Sequence, residues 1–97
     1  MSNGETRVSL LAVARGRVQG VGFRDYVWRR SSFLGADGYV RNLEGGRKEE
    51  VVAEGEREKL EQLLEYLREG PPLAQVAEVE VEWGEATGRF TGFGIAY

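Results

Sequence analysis

The sequence predicts an α+β fold: one antiparallel sheet with two helices on one face, in the split order β-α-β-β-α-β, plus a short C-terminal strand. Three observations predict it. Leu60, Leu63, Leu64 and Leu67 fall at i, i+3, i+4 and i+7, the stripe of a helix with one buried face. Residues 78–83, EVEVEW, alternate acid and apolar side chains, as a strand with one wet face does. Strand and helix patterns then alternate along 97 residues, a length that supports one core but not two.

Each element follows in order. Residues 1–6 are polar and are expected as a flexible tail, with a single domain over 7–97. Arg7 to Arg15 (RVSLLAVAR) is apolar and partly β-branched, a buried strand. Gly16 to Gly22 reads as a loop by its three glycines. Phe23 to Leu34 reads as a helix, with Phe23, Val27, Ser31 and Leu34 on one face and Gly35 ending it. Tyr39 to Leu43 and Glu49 to Glu54 form a hairpin about Glu44-Gly45-Gly46-Arg47, because paired glycines supply the positive φ of such turns. The leucine-striped helix carries Glu56 and Glu58 in its first turn and Arg68 in its last, matching the helix dipole. Gly70-Pro71-Pro72 stops it, and Phe93 to Tyr97 supplies the last strand.

Composition removes several kinds of chemistry. Without cysteine there is no disulfide, zinc-thiolate site or thiol nucleophile. Without histidine the commonest general base and metal ligand are missing. No apolar run reaches the length of a membrane span and the first residues carry no signal-peptide pattern, so a cytoplasmic protein is expected. Net charge is +4 over residues 1–47 and −7 over 48–97. The acidic half would repel a polyphosphate, so nucleic acid is not an expected partner. A local anion site in the basic half fits.

That site is expected between the first strand and the first helix. Arg15 to Arg24 (RGRVQGVGFR) holds three glycines, three arginines and no acid. Glycines let successive N–H groups face one concavity, and a helix N-terminus adds free donors. Arg24 stands in the first helical turn, where the dipole disfavours a cation. An anion held between its guanidinium and the backbone donors would explain it there. A glycine-rich connector with a solvated arginine explains it as well. The segment lacks the Gly-Lys-Ser/Thr of a phosphate-binding NTPase loop, and Asp25 occupies the place of the third glycine of a dinucleotide fingerprint.

The chain also lacks the usual phosphatase nucleophiles and shows no carboxylate cluster for Mg²⁺. Two options remain: binding phosphate without turnover, or hydrolysis by positioning and charge stabilisation. Without a general acid the leaving group must depart unprotonated, which a carboxylate can do. An acyl phosphate is therefore the substrate that fits. Asn42, an unusual residue in the short run YVRNL, could accept from a water and aim it at phosphorus. A polar residue near an exposed turn is the plainer reading.

The segment Gly16-x-Val18-Gln19-Gly20-Val21-Gly22-Phe23-Arg24 resembles the signature of acylphosphatases, and Gly38-Tyr39-Val40-Arg41-Asn42-Leu43 resembles that family's second signature. Gly70-Pro71-Pro72, the strand ending at Trp83 and Gly92 to Tyr97 are similar to family patterns, so the likeness covers residues 7–97. The resemblance implies a ferredoxin-like fold and hydrolysis of small-molecule acyl phosphates by a monomer, without metal or cofactor. It implies that Arg24 binds the phosphoryl group together with amides of Gly16, Arg17, Val18, Gln19, Gly20 and Val21, and that Asn42 orients the attacking water. A non-catalytic module binding phosphate or another small anion is the alternative. Three places depart from the family pattern. The hairpin Glu44–Glu50 is one residue longer, with Lys48 near a usual apolar position; Ala36-Asp37 stands where an apolar residue is more usual; and Leu73 replaces a commonly small residue after the two prolines.

Overall fold

A computed structural model describes residues 6–97; of the tail expected at 1–6, residues 1–5 lie outside the described residues. The elements run β1 (Arg7–Arg17), α1 (Phe23–Phe33), β2 (Asp37–Asn42), β3 (Lys48–Glu56), α2 (Arg57–Glu69), β4 (Gln75–Glu85) and β5 (Phe93–Ile95). The sheet order is β4-β1-β3-β2-β5. The first four strands pair antiparallel, with both helices packed on one face. The expected C-terminal strand is shorter than Phe93–Tyr97 and joins parallel to β2 at the sheet edge.

Period-two alternation along the strands builds the core. Leu10, Ala12 and Ala14 of β1, Val40 of β2, and Val51 and Ala53 of β3 face the helices and are buried. Against them α1 sets Phe23, Val27 and Ser31, and α2 sets Leu60, Leu63, Leu64 and Leu67. The alanines at the sheet centre let the helices approach closely. The hydroxyl of Ser31 is buried among these groups without a hydrogen-bond partner.

Several boundaries move, for traceable reasons. Gly16 and Arg17, expected in the loop, extend β1, because β4 runs back to Gln75 and pairs with them beyond a register shift after Arg15. β2 begins at Asp37, whose carboxylate accepts from Arg7 at 2.8 Å and from the Gly92 N–H at 2.8 Å. Glu56 stands at the N-cap position of α2, without a side-chain capping bond, rather than in its first turn. The longer hairpin resolves with Leu43 N–H donating to Lys48 O at 3.0 Å, which sets Asn42 opposite Glu49. At the start of β3 it is Glu49, and not Lys48, that turns inward.

Candidate active site

The loop between β1 and α1 is shaped by close backbone approaches. Gly16 has φ 129°, and a Cβ there would lie 2.3 Å from the Gln75 carbonyl oxygen, so no side chain fits. Its N–H donates to Arg47 O, and the Val18 N–H donates to Gly16 O. Both expected phosphate donors are therefore already occupied. Gln19 has its side chain committed too: Nε2 donates to Leu43 O and to Lys48 O, each at 2.9 Å, tying the loop to the β2–β3 hairpin.

Beyond that clamp the chain opens. Gly20 (φ 75°) and Gly22 (φ 80°) take left-handed conformations on either side of Val21, the alternation that turns N–H groups into a shared hollow. Among the described residues the N–H groups from Gln19 to Gly22 carry no internal hydrogen bond. The first helical bond is made by Tyr26 to Gly22 O, so the donors of Phe23, Arg24 and Asp25 are free by position.

A cleft of about 210 Å³ lies at this helix end, lined in part by Val18, Gly20, Gly22, Arg24 and Glu49. Arg24 is half-buried, with its guanidinium 5.2 Å from the centre of the Tyr97 ring. Neighbouring charges are turned elsewhere. Asp25 pairs with Arg29 at 3.0 Å, Arg15 with Glu80 at 3.0 Å, and Arg41 with Glu50 at 2.6 Å. Arg24 makes no ion pair among the described residues. A guanidinium beside a row of unbonded N–H groups can bind a tetrahedral oxyanion at several oxygens.

Asn42 reaches this cleft through Glu49. With its carboxamide turned so that both groups are satisfied, Nδ2 donates to Glu49 Oε1 at 3.0 Å and also meets Oε2. Glu49 is 1% exposed. Burial raises its carboxyl to about 7, opposed by the positive charge of Arg24. Of the residues expected at the site, Val18, Gly20 and Arg24 line the cleft, and Asn42 stands beside it against Glu49. Arg17 points to solvent, while Gly16, Gln19 and Val21 shape the loop. Glu49 escaped the sequence reading. The signal for it was its alternation with Val51 and Ala53, which puts it on the buried face. Among the described residues no three His, Cys, Asp or Glu side chains gather as a metal site would require, and no helix is long and apolar enough to cross a membrane.

Comparison with known proteins gives a consistent result. The family model described as "Acylphosphatase" matches residues 11–95. An acylphosphatase of Dehalococcoides mccartyi is 48% identical over 88 residues, 91% of this chain and 97% of the relative. One from Thermus thermophilus is 52% identical over 79 residues, 81% of this chain and 89% of the relative. The crystal structure of acylphosphatase from Bacillus subtilis superposes with a TM-score of 0.88 at 31% identity, covering 93% of this chain and 99% of that one. Fold, both signature segments and a match spanning nearly the whole domain agree: the chain belongs to the acylphosphatase family.

Proposed function

We propose that this chain hydrolyses acyl phosphates to a carboxylate and inorganic phosphate. Arg24 and the free N–H groups of the Gln19–Gly22 loop hold the phosphoryl oxygens, and Asn42 directs a water at phosphorus. One observation carries the reading: an unpaired guanidinium and a row of unbonded amides share one cleft, with the Asn42 carboxamide fixed at its edge. Phosphoryl transfer of this kind asks for positioning and charge stabilisation. The carboxylate leaving group departs without a proton, and the phosphate product can accept the proton of the attacking water. Family membership favours turnover over a non-catalytic binding module.

Purified protein with benzoyl phosphate in EDTA tests the reading. Phosphate release well above the spontaneous rate is expected, and release at the spontaneous rate would overturn it. Arg24→Ala is expected to lose two charge-assisted hydrogen bonds to phosphate, about 3–5 kcal/mol, or roughly 10²- to 10⁴-fold in kcat/KM. Asn42→Ala is expected to lose kcat while still binding inorganic phosphate. The reading extends to a cytoplasmic monomer acting on a small-molecule substrate. Light scattering should give the mass of one chain, and twice that mass would contradict the monomer.

A further inference from the structure

Glu49 has no part in the chemistry described above. It is nonetheless a buried acid lining the cleft, in contact with Asn42. We propose that Glu49 is a positioning residue: its ionised carboxylate captures Asn42 Nδ2 and so leaves the Asn42 carbonyl oxygen to face the attacking water. This rests on the assignment of Asn42 given above.

The pair is held in place from both sides. Asn42 and Glu49 are register partners across β2 and β3, so their side chains leave the sheet together. The next pair of the ladder is closed by Leu43 N–H to Lys48 O at 3.0 Å, and the Gln19 amide donates to both carbonyls of that pair. A carboxamide has a donor end and an acceptor end of nearly equal shape, so its partner decides which end faces the substrate. An ionised carboxylate only accepts, and therefore takes Nδ2. The oxygen then remains for a water, accepts its O–H, and leaves a water lone pair free for phosphorus. A protonated carboxyl can instead donate to Asn42 Oδ1. Nδ2 would then face the water and engage the lone pair that the reaction needs.

The surroundings of Glu49 make this ionisation adjustable. α1 presents Arg24, and Asp25, which is engaged by Arg29. Tyr97 brings its phenol to the cleft, and β1 and β5 present Ala14 and Ile95 without charge. Burial holds the carboxyl up at about 7 against the pull of Arg24. A bound phosphoryl anion raises it further by like-charge repulsion, so kcat should titrate higher than kcat/KM.

The test is kcat and KM for benzoyl phosphate across pH for the parent, Glu49→Gln, Glu49→Leu and Asn42→Ala. Titration of the substrate is common to all four and cancels between them. Parental kcat should fall about tenfold from pH 8 to pH 5.5. Glu49→Gln, uncharged and able to donate to Asn42 Oδ1 as a protonated carboxyl does, should lose that pH dependence and hold kcat near the parental low-pH value throughout. Glu49→Leu should lose about tenfold in kcat with little change in KM. A Glu49→Leu protein with the parental plateau, or a Glu49→Gln protein with the parental pH dependence, would overturn the proposal. If Glu49→Leu does not fold, the Glu49→Gln profile decides. Normal turnover by Asn42→Ala would overturn the Asn42 assignment and this proposal with it. Impaired Asn42→Ala beside an unaffected Glu49→Leu would overturn this proposal alone.

Discussion

Replacing Glu49 by glutamine keeps the side chain's volume and a carbonyl acceptor while removing its titratable charge, so the pH dependence of the difference between the two proteins reports that titration. In the folded chain the carboxyl titrates at about 7, against 4.5 for the group in water. Below about 4.5 both folded and unfolded chains are protonated and the residue costs nothing. Between 4.5 and 7 the folded chain binds a proton that the unfolded chain has released, so stability falls as pH rises through that window. Above 7 the full cost applies. A shift of two to three pH units corresponds to about 3 kcal/mol, a sizeable share of the 5–15 kcal/mol typical of a domain. Urea unfolding of parent and variant at a series of pH values measures it. The other carboxylates are common to both proteins and cancel in the difference. Glu49→Gln should match the parent near pH 4.5 and exceed it by about 3 kcal/mol near pH 8, with an unchanged m value. A stability difference that does not vary with pH would refute the reasoning.

Three further substitutions probe the frame around the site. Glu54, 2% exposed on the same strand, accepts from Thr87 N–H at 2.9 Å, Thr87 Oγ1 at 2.8 Å and Gly88 N–H at 2.9 Å. Burial pushes its carboxyl up, and these hydrogen bonds more than offset that, leaving it below the usual range. Glu54→Ala should therefore cost about 2–4 kcal/mol at neutral pH in denaturant melts. That cost should vanish as pH falls through the lowered folded value, the reverse of the behaviour at Glu49. Gly16→Ala places a Cβ 2.3 Å from Gln75 O at φ 129°, and should lose at least about 3 kcal/mol together with phosphate binding; a variant with the parent's melting point would contradict the backbone geometry. Ser31→Ala removes an unpartnered buried hydroxyl and improves helix propensity, so a gain of about 1 kcal/mol is expected, and a loss would mean that the hydroxyl is bonded.

Much of this was legible in the sequence, for physical reasons that differ by element. The α2 leucine stripe and the β4 alternation are one-face patterns, and local periodicity suffices to read them. Arg24 stood out because a cation in a first helical turn opposes the dipole. The end of β1 was not legible: Gly16 and Arg17 are strand residues only because β4 supplies partners across a register shift. The parallel pairing of β5 likewise depends on Gly38 N–H meeting Gly92 O and on β2 offering a free edge. Glu49 was hidden by its neighbour Glu50 and by the apolar pair Val51-Val52, which leaves the inward parity of β3 undecided until the hairpin register is known. Once Asn42 is set opposite Glu49, that parity follows.

The central claim is that Arg24 and the loop amides hold the phosphoryl group while a water attacks phosphorus rather than the acyl carbon. Turnover of an acyl phosphate in heavy-oxygen water, with both products analysed by mass, tests this most directly. The label is expected in inorganic phosphate and absent from the carboxylate. Label incorporated into the carboxylate would contradict the account.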